Sequence, residues 1–401
     1  MLTAGDKRCP SLQSSLRYEV PGLMKSVAVI GRRTLMTGIA SALVVRKAFA
    51  RPMTVGSTWY DHSIIIDGLG GIVDPYSPNG RTRLSERAWN ELRRTGVTAV
   101  NETLLPVGNE PDAWPKLLRY MGLFDAIVRA NPDRLRIVRT ATDIVSAKAA
   151  DQIGLIYRTQ DTAMIGTALD RLSELKRRGV RVVQLTYNLR NLSGDGALEP
   201  ANAGLSRLGH ATIARIEQEK LLLDLAHGGE RTIVEAITAA TRPLTISHTG
   251  ARAVYDHPRN VSDEAIRATA RKGGVTGVYF MPYLAASSKP TGADLIRHIE
   301  HIANVGGEDH VAIGTDGPLL PIVIDDEARK RAREAFEQRD AEGYTAPGDG
   351  PDVINVVEDY NRIDRFRRLA ADLTKRGWTS HRLEKLFGGN LVRLYRDTWD
   401  G

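Results

Sequence analysis

The chain has 401 residues, 42% hydrophobic and 26% charged, which is the profile of a soluble globular protein with a large core and excludes a disordered or fibrous chain. The formal net charge is +7, but residues 1–50 carry eight Lys/Arg against two acids, leaving +1 for the remaining 351, and a near-neutral body excludes a nucleic-acid footprint. The lone cysteine, Cys9, lies in the same basic leader, so a disulfide scaffold and a cysteine-ligated metal in the body are excluded as well.

Arg32-Arg33 opens a weakly apolar run over 35–45, followed by Arg46-Lys47 and the small–x–small triplet Ala48-Phe49-Ala50. A run of about 11 residues is too short to cross a bilayer as a helix. The pattern reads as a twin-arginine export signal cut after Ala50, which places the mature protein in a bacterial periplasm. A basic amphipathic arm or an organellar transit peptide is the alternative. Met24 begins a more typical signal, so 1–23 is expected to precede the true start. The polar ending, Tyr395 to Gly401, carries no apolar tail, and no membrane anchor is expected in the mature chain.

From residue 51 onward the sequence reads as one α/β domain. Short β-branched runs recur at 63–69, 97–104, 135–140, 154–160, 181–188, 221–227, 243–249, 274–281 and 310–316. Helical patterns separate most of them, at 85–95, 114–130, 162–178, 208–219, 230–241 and 263–272. Continuous apolar strands alternating with helices predict a parallel sheet buried on both faces. The favoured architecture is a (β/α)8 TIM barrel; with nine strand candidates for eight places, 135–140 is the one expected to be peripheral or miscounted. A doubly wound sheet is the competitor, but Gly68-Leu69-Gly70-Gly71 is not the G-x-G-x-x-G phosphate turn, and no helix follows it at once. Residues 318–352, with a charged helical pattern at 325–342, form either a lid over the barrel mouth or an insertion. Further helices are expected over 362–376 and 380–386.

In a parallel barrel, function collects at the C-terminal ends of the strands. Three strands end in a metal-capable residue, namely His227, His248 and Asp316. Two imidazoles and a carboxylate from three strands make a first shell for one divalent ion with a position open to water. Other histidines read as structural: His298 and His301 on one helix face, His62 and His310 at the opposite strand ends, and His257 as a loop anchor. Asp67 ends an apolar strand near the mouth and is either a catalytic acid/base or an orienting partner for a loop amide.

Leu223-Asp-Leu-Ala-His227, Ile246-Ser-His-Thr-Gly-Ala-Arg252, Asp256-His-Pro-Arg-Asn-Val-Ser-Asp-Glu264, Asp309-His-Val-Ala-Ile-Gly-Thr-Asp-Gly317 and Gly388-Gly-Asn-Leu-Val-Arg393 together resemble the renal (membrane) dipeptidase family of zinc metallopeptidases. That resemblance implies an amidohydrolase-type barrel that hydrolyses dipeptides at a two-zinc centre. It also implies that His227 and His248 hold one zinc, that Asp316 matches the aspartate of the other, and that Arg259 grips the substrate carboxylate. A homodimer is expected by analogy with the family.

The pattern is incomplete at three points. The family's first strand ends Asp-Gly-His-x-Asp, with His and Asp on the second zinc, where this chain reads Asp67-Gly68-Leu69-Gly70-Gly71. The bridging glutamate aligns with Gln160, and an active-site histidine aligns with Tyr187; both remain substrate-binding candidates. A shift of one residue in the alignment would hand the bridging place to Asp161. An amide carries no net charge to offset two dications roughly 3.5–4 Å apart. One zinc ion is therefore expected, not two. The resulting expectation is an exported dipeptidase-like metallohydrolase in which metal-activated water attacks a small dipeptide or related amide, Asp316 takes the proton and Arg259 holds the carboxylate. The alternatives are a mononuclear hydrolase of another small amide or a lactone, and a non-catalytic ligand-binding protein on the same barrel.

Overall fold

The computed structural model describes residues 59–77 and 81–400; the leader and its export signal lie outside the described residues. Ten strands are present among them: β1 Ile66–Gly71, β2 Ala99–Thr103, β3 Leu135–Ile137, β4 Ile153–Thr159, β5 Val180–Gln184, β6 Leu222–Asp224, β7 Thr245–Thr249, β8 Val275–Val278, β9 Val311–Ile313 and β10 Gly317–Pro318. All pairings between them are parallel, in the order β10-β1-β2-β4-β5-β6-β7-β8-β9. β10 continues β9 after an interruption at residues 314–316, so β9 on β8 and β10 on β1 close an eight-stranded ring. β3 stays off the path and pairs only with β4. The extra strand candidate is thus peripheral, as expected.

Why the chain takes this form is local as well as global. Ser85, Ser206 and Ser262 each cap a following helix by accepting an N–H three residues on, which satisfies donors that have no partner within the helix. Thr140–Asp143 and Thr291–Asp294 form reciprocal capping boxes for Ala141–Ala149 and Gly292–Gly306. The helix Ala141–Ala149 has no counterpart in the sequence-based reading. The helix expected over 162–178 is split into a turn at Ala163–Ile165 and a helix at Asp170–Arg178. Gly166 between them takes φ 55, a left-handed conformation that halts the first piece.

Two apolar clusters hold the fold. The larger fills the space between the strands and the outer helices. The smaller gathers Ile66, Ala99, Ile156, Val182, Leu222, Val275 and Ala312, one residue from each of seven strands, and adds Leu391, Leu394, Tyr395 and Trp399 from the C-terminal segment. That segment plugs the N-terminal end of the barrel. Tyr395 stacks on Trp399 at 4.1 Å between ring centroids, and its hydroxyl accepts the Asn101 amide at 2.7 Å. With one end filled, the open end lies at the strand C-termini.

Residues 318–352 pack back over that open end. Their helix, Asp326–Ala341, buries only Ala328. The returning loop is pinned to the mouth by His257 Nε2 donating to the Pro347 carbonyl at 2.8 Å and by the Tyr283 hydroxyl on Asp349 at 2.7 Å. Among the described residues, no helix is long and apolar enough to cross a membrane.

Candidate metal centre and its surroundings

His227, His248 and Asp316 converge: each offers a ligand atom, and these atoms lie within 4.8 Å of one another. The three come from the ends of β6, β7 and β9, as the sequence pattern predicts. His227 and Asp316 both take left-handed backbone, φ 64 and φ 59. Neither is glycine, so each conformation costs on the order of 1 kcal/mol or more. The turn at Asp316 is also what interrupts the strand between β9 and β10. Gly277 and Gly314 let backbone close in beneath His248, because a Cβ on either would stand 2.0 or 2.2 Å from the Ser247 carbonyl.

Each imidazole is oriented from behind. His227 Nδ1 lies 2.6 Å from Asn188 Oδ1, so the ring donates there and its Nε2 keeps a lone pair. His248 Nδ1 lies 2.8 Å from Ser247 Oγ; that hydroxyl donates to Asp224 at 2.5 Å and receives Arg158 at 2.9 Å. A hydroxyl that donates to Asp224 can only accept from the ring, which again leaves Nε2 unprotonated. Both Nε2 atoms are buried and have no hydrogen-bond partner. Buried polar atoms left unpaired are rare and costly. Two of them converging with a carboxylate have the geometry of open ligand positions, supported by the outer partners that metal-binding histidines use. Burial, and next the charge of Arg259, hold both imidazoles well below their ordinary range, so they stay neutral and able to ligate. Burial pushes Asp316 up to about 6, opposed first by Arg259 and then by Arg158; a cation against it would favour the carboxylate.

The other sequence candidates fall in distinct places. Tyr187 stacks on His227 at 4.2 Å between ring centroids, and burial pushes its phenol up to about 12. Gln160 is the residue that follows β4; it is buried, and its carbonyl accepts the Gln184 side-chain amide at 2.7 Å. Asp161 does not take the bridging place: its oxygens accept from Gly108, Thr162, Ala163 and Asn191. Asp67 stands outside the ligand cluster, and its oxygens accept from the Thr315 amide and hydroxyl and the Leu69 amide. It clamps β1 to the Asp316 turn, which favours its orienting role over acid/base work. Arg259 is 3% exposed, has no carboxylate partner among the described residues, and lies with its guanidinium carbon 5.9 Å from the Tyr279 ring centroid. His298 and His301 are structural, on Leu284 and Ala251 and on Asp263.

The fit to metal is therefore good for one ion and poor for two. Leu69 is buried yet belongs to neither apolar cluster. Gly71 offers no ligand, and a Cβ there would stand 3.2 Å from a Glu102 oxygen. Glu102, which the sequence-based reading missed, is buried at the end of β2 and pushed up to about 8 by that burial, with only the Ile72 amide opposing. A carboxylate restored at 71 would crowd it.

Asp67, pushed up to about 7 by burial against its Thr315 and Leu69 bonds, and Glu102 hold protons in the folded chain where unfolded carboxyls have lost them. The folded state then binds more protons than the unfolded state at neutral pH, so stability falls as pH rises. The buried histidines act oppositely, but only below about pH 6.5. The melting temperature of the metal-free chain should drop by a few degrees from pH 6.5 to 8, and Glu102→Gln should remove most of the slope. A flat or rising profile for the unaltered chain would show that these carboxyls ionise normally.

Known proteins resemble this chain in sequence and in fold. A sequence model of the membrane dipeptidase family (Peptidase family M19) matches residues 86–325. Dipeptidase tcpJ of Claviceps purpurea is 24% identical over 282 residues, 69% of this chain and 59% of its own length; dipeptidase verJ of Clonostachys rogersoniana is 23% identical, with 63% of its length covered. The chain thus spans about three-fifths of these curated relatives. An amidohydrolase from Pseudomonas aeruginosa superposes with a TM-score of 0.72 at 28% identity, covering 86% of this chain and 98% of that one. A metallopeptidase from Rhodobacter sphaeroides, crystallised with a phosphinate mimic of L-Ala-D-Ala, shares the fold with a TM-score of 0.66 at 19% identity.

Proposed function

The chain belongs to the membrane dipeptidase family, and from that premise we propose that it is a mononuclear metallohydrolase that cleaves a small amide ending in a free carboxylate. The observation that carries this is the pair of buried, unpartnered Nε2 atoms of His227 and His248 converging with Asp316. Zinc is the ion this donor set suits, since two neutral imidazoles and one carboxylate leave a position open. Such an ion supplies a water molecule acidified to near-neutral pKa and an electrophile for the amide oxygen.

The chain's own groups do the rest. Arg259 receives the substrate carboxylate: a buried guanidinium without a directly paired carboxylate is costly, and a bidentate carboxylate offsets that cost. Asn188 and Ser247 fix both ring tautomers before substrate arrives. Asp316 serves as ligand and, through its second oxygen, can take the proton of the attacking water. Tyr187 closes the face of His227, and residues 318–352 screen the mouth from bulk water through His257 and Tyr283.

The direct test is to supply the zinc-loaded chain with dipeptides and simple N-acyl amino acids and follow release of the C-terminal amino acid by mass spectrometry. Release that requires the free carboxylate is expected. Binding without release would favour the ligand-binding alternative, for which the missing ligands at Leu69, Gly71 and Gln160 speak.

A further inference from the structure

Between β10, Gly317–Pro318, and residues 355–361 lies a cavity of about 20 Å³ that the centre described above does not use. Thr315 and Gly317, on either side of Asp316, form part of its wall, and Phe280 and Tyr360 make another part apolar. Among the described residues that line it there is one charge, Arg365, at the start of the helix Arg365–Lys375, and there is no acid.

Arg365 is 6% exposed. Its Nε donates to the Arg362 carbonyl at 3.2 Å and its Nη1 to the Pro318 carbonyl at 3.1 Å. Those bonds fix the guanidinium but bring no negative charge. Nη2 makes no hydrogen bond among the described residues, and unlike Nε of Arg134 and Arg158 it is not sealed from solvent. Its remaining surface opens on the cavity that Arg365 lines. The acid acting on Arg365 is Asp67, which does not touch it: both Asp67 oxygens are taken by Thr315 and Leu69. Burial pushes that carboxyl up to about 7, so it is only partly charged at neutral pH. Arg365, drawn down to about 10 by burial, keeps its charge. A buried cation so weakly opposed is costly.

Size then decides what can oppose it. A water-sized occupant needs roughly 10–15 Å³, so the cavity admits one small body and excludes a dipeptide or a nucleotide. A water molecule would accept from Nη2 but would add no charge. The Asn361 amide is spent on the Ile322 backbone, whereas the Asn355 side chain makes no hydrogen bond among the described residues and has N–H donors to offer.

We propose that Arg365 holds one halide-sized monoanion, such as chloride, in this cavity beside the turn that carries Asp316. Through Pro318, Arg365 also holds β10, the strand that closes the ring on β1. Occupancy therefore stabilises the closure of the barrel.

The full chain, freed of metal so that no halide can ligate zinc, is melted over a millimolar range of sodium chloride, with sodium gluconate keeping the ionic strength constant. The melting temperature should rise saturably by a few degrees, and bromide should act likewise. Arg365→Met should abolish the rise. Asn355→Asp, which keeps the guanidinium and adds a carboxylate to the same lining, should also abolish it and decides the matter if Arg365→Met does not fold. A crystal soaked in bromide should show an anomalous peak within hydrogen-bond reach of Arg365. Lack of either the melting response or that peak overturns the inference. A peak without a response marks binding at crystal concentration only, a response kept by the variants marks an ion bound elsewhere, and neither marks a cavity that holds water only.

Discussion

Alanine at both His227 and His248 should abolish zinc binding and lower amide hydrolysis by at least 10³-fold, while the chain stays folded. Each imidazole offers one unpartnered Nε2 to the centre; with both gone, Asp316 alone cannot hold a divalent ion, and no acidified water forms. Rates lost when a catalytic unit is dismantled are not the sum of its parts, so each single variant should already approach this loss. Truncating a buried ring leaves a cavity, at a cost of about 2–5 kcal/mol by comparison with core truncations. That is a drop of some degrees in melting temperature, and it separates a metal-site defect from unfolding. Atomic spectroscopy on the purified variant, beside its melting curve and turnover, gives all three quantities. Retained zinc with retained activity would place the centre elsewhere.

Arg259→Ala should cost about 10²–10³-fold in kcat/KM, mostly through KM. Charge-assisted bonds are worth roughly 1.5–3 kcal/mol each, and the buried carboxylate of a bound substrate would be left without its partner. Arg259→Lys restores the charge without the planar fork and should recover only part of the loss. A substrate amidated at its C-terminus supplies the control: it should be poor for the unaltered chain and equally poor for the alanine variant. A variant that loses the same factor on both substrates would mark Arg259 as a structural support, not a carboxylate anchor. Its 3% exposure and lack of an ion pair favour the anchor.

The barrel and the ligand triad were legible because they rest on short-range patterns. Apolar runs ending in His227, His248 and Asp316 state both the strand and the point where its chemistry begins. The extra strand at Leu135–Ile137 was suspect from its count alone, and it pairs off the ring. What stayed hidden depends on distant contacts. Arg158 meets Ser247 across 89 positions and Asp224 across 66, and nothing near it in sequence announces that a buried arginine will fix the tautomer of His248. Asn188 supports His227 across 39 positions. Glu102 took on meaning only once β2 lay beside β1 and its carboxyl reached the space at Gly71. The split at Gly166 had a local cause, a left-handed glycine, but a single glycine in a helical pattern is tolerated often enough to pass unnoticed.

The centre itself is tested most directly by its zinc stoichiometry. The full chain, purified without added metal, would be equilibrated with excess zinc, freed of unbound ion and analysed for zinc per chain. One ion per chain is predicted, because Leu69, Gly71 and Gln160 supply no charge for a second. Two per chain would contradict the mononuclear centre, and none would contradict the metallohydrolase altogether.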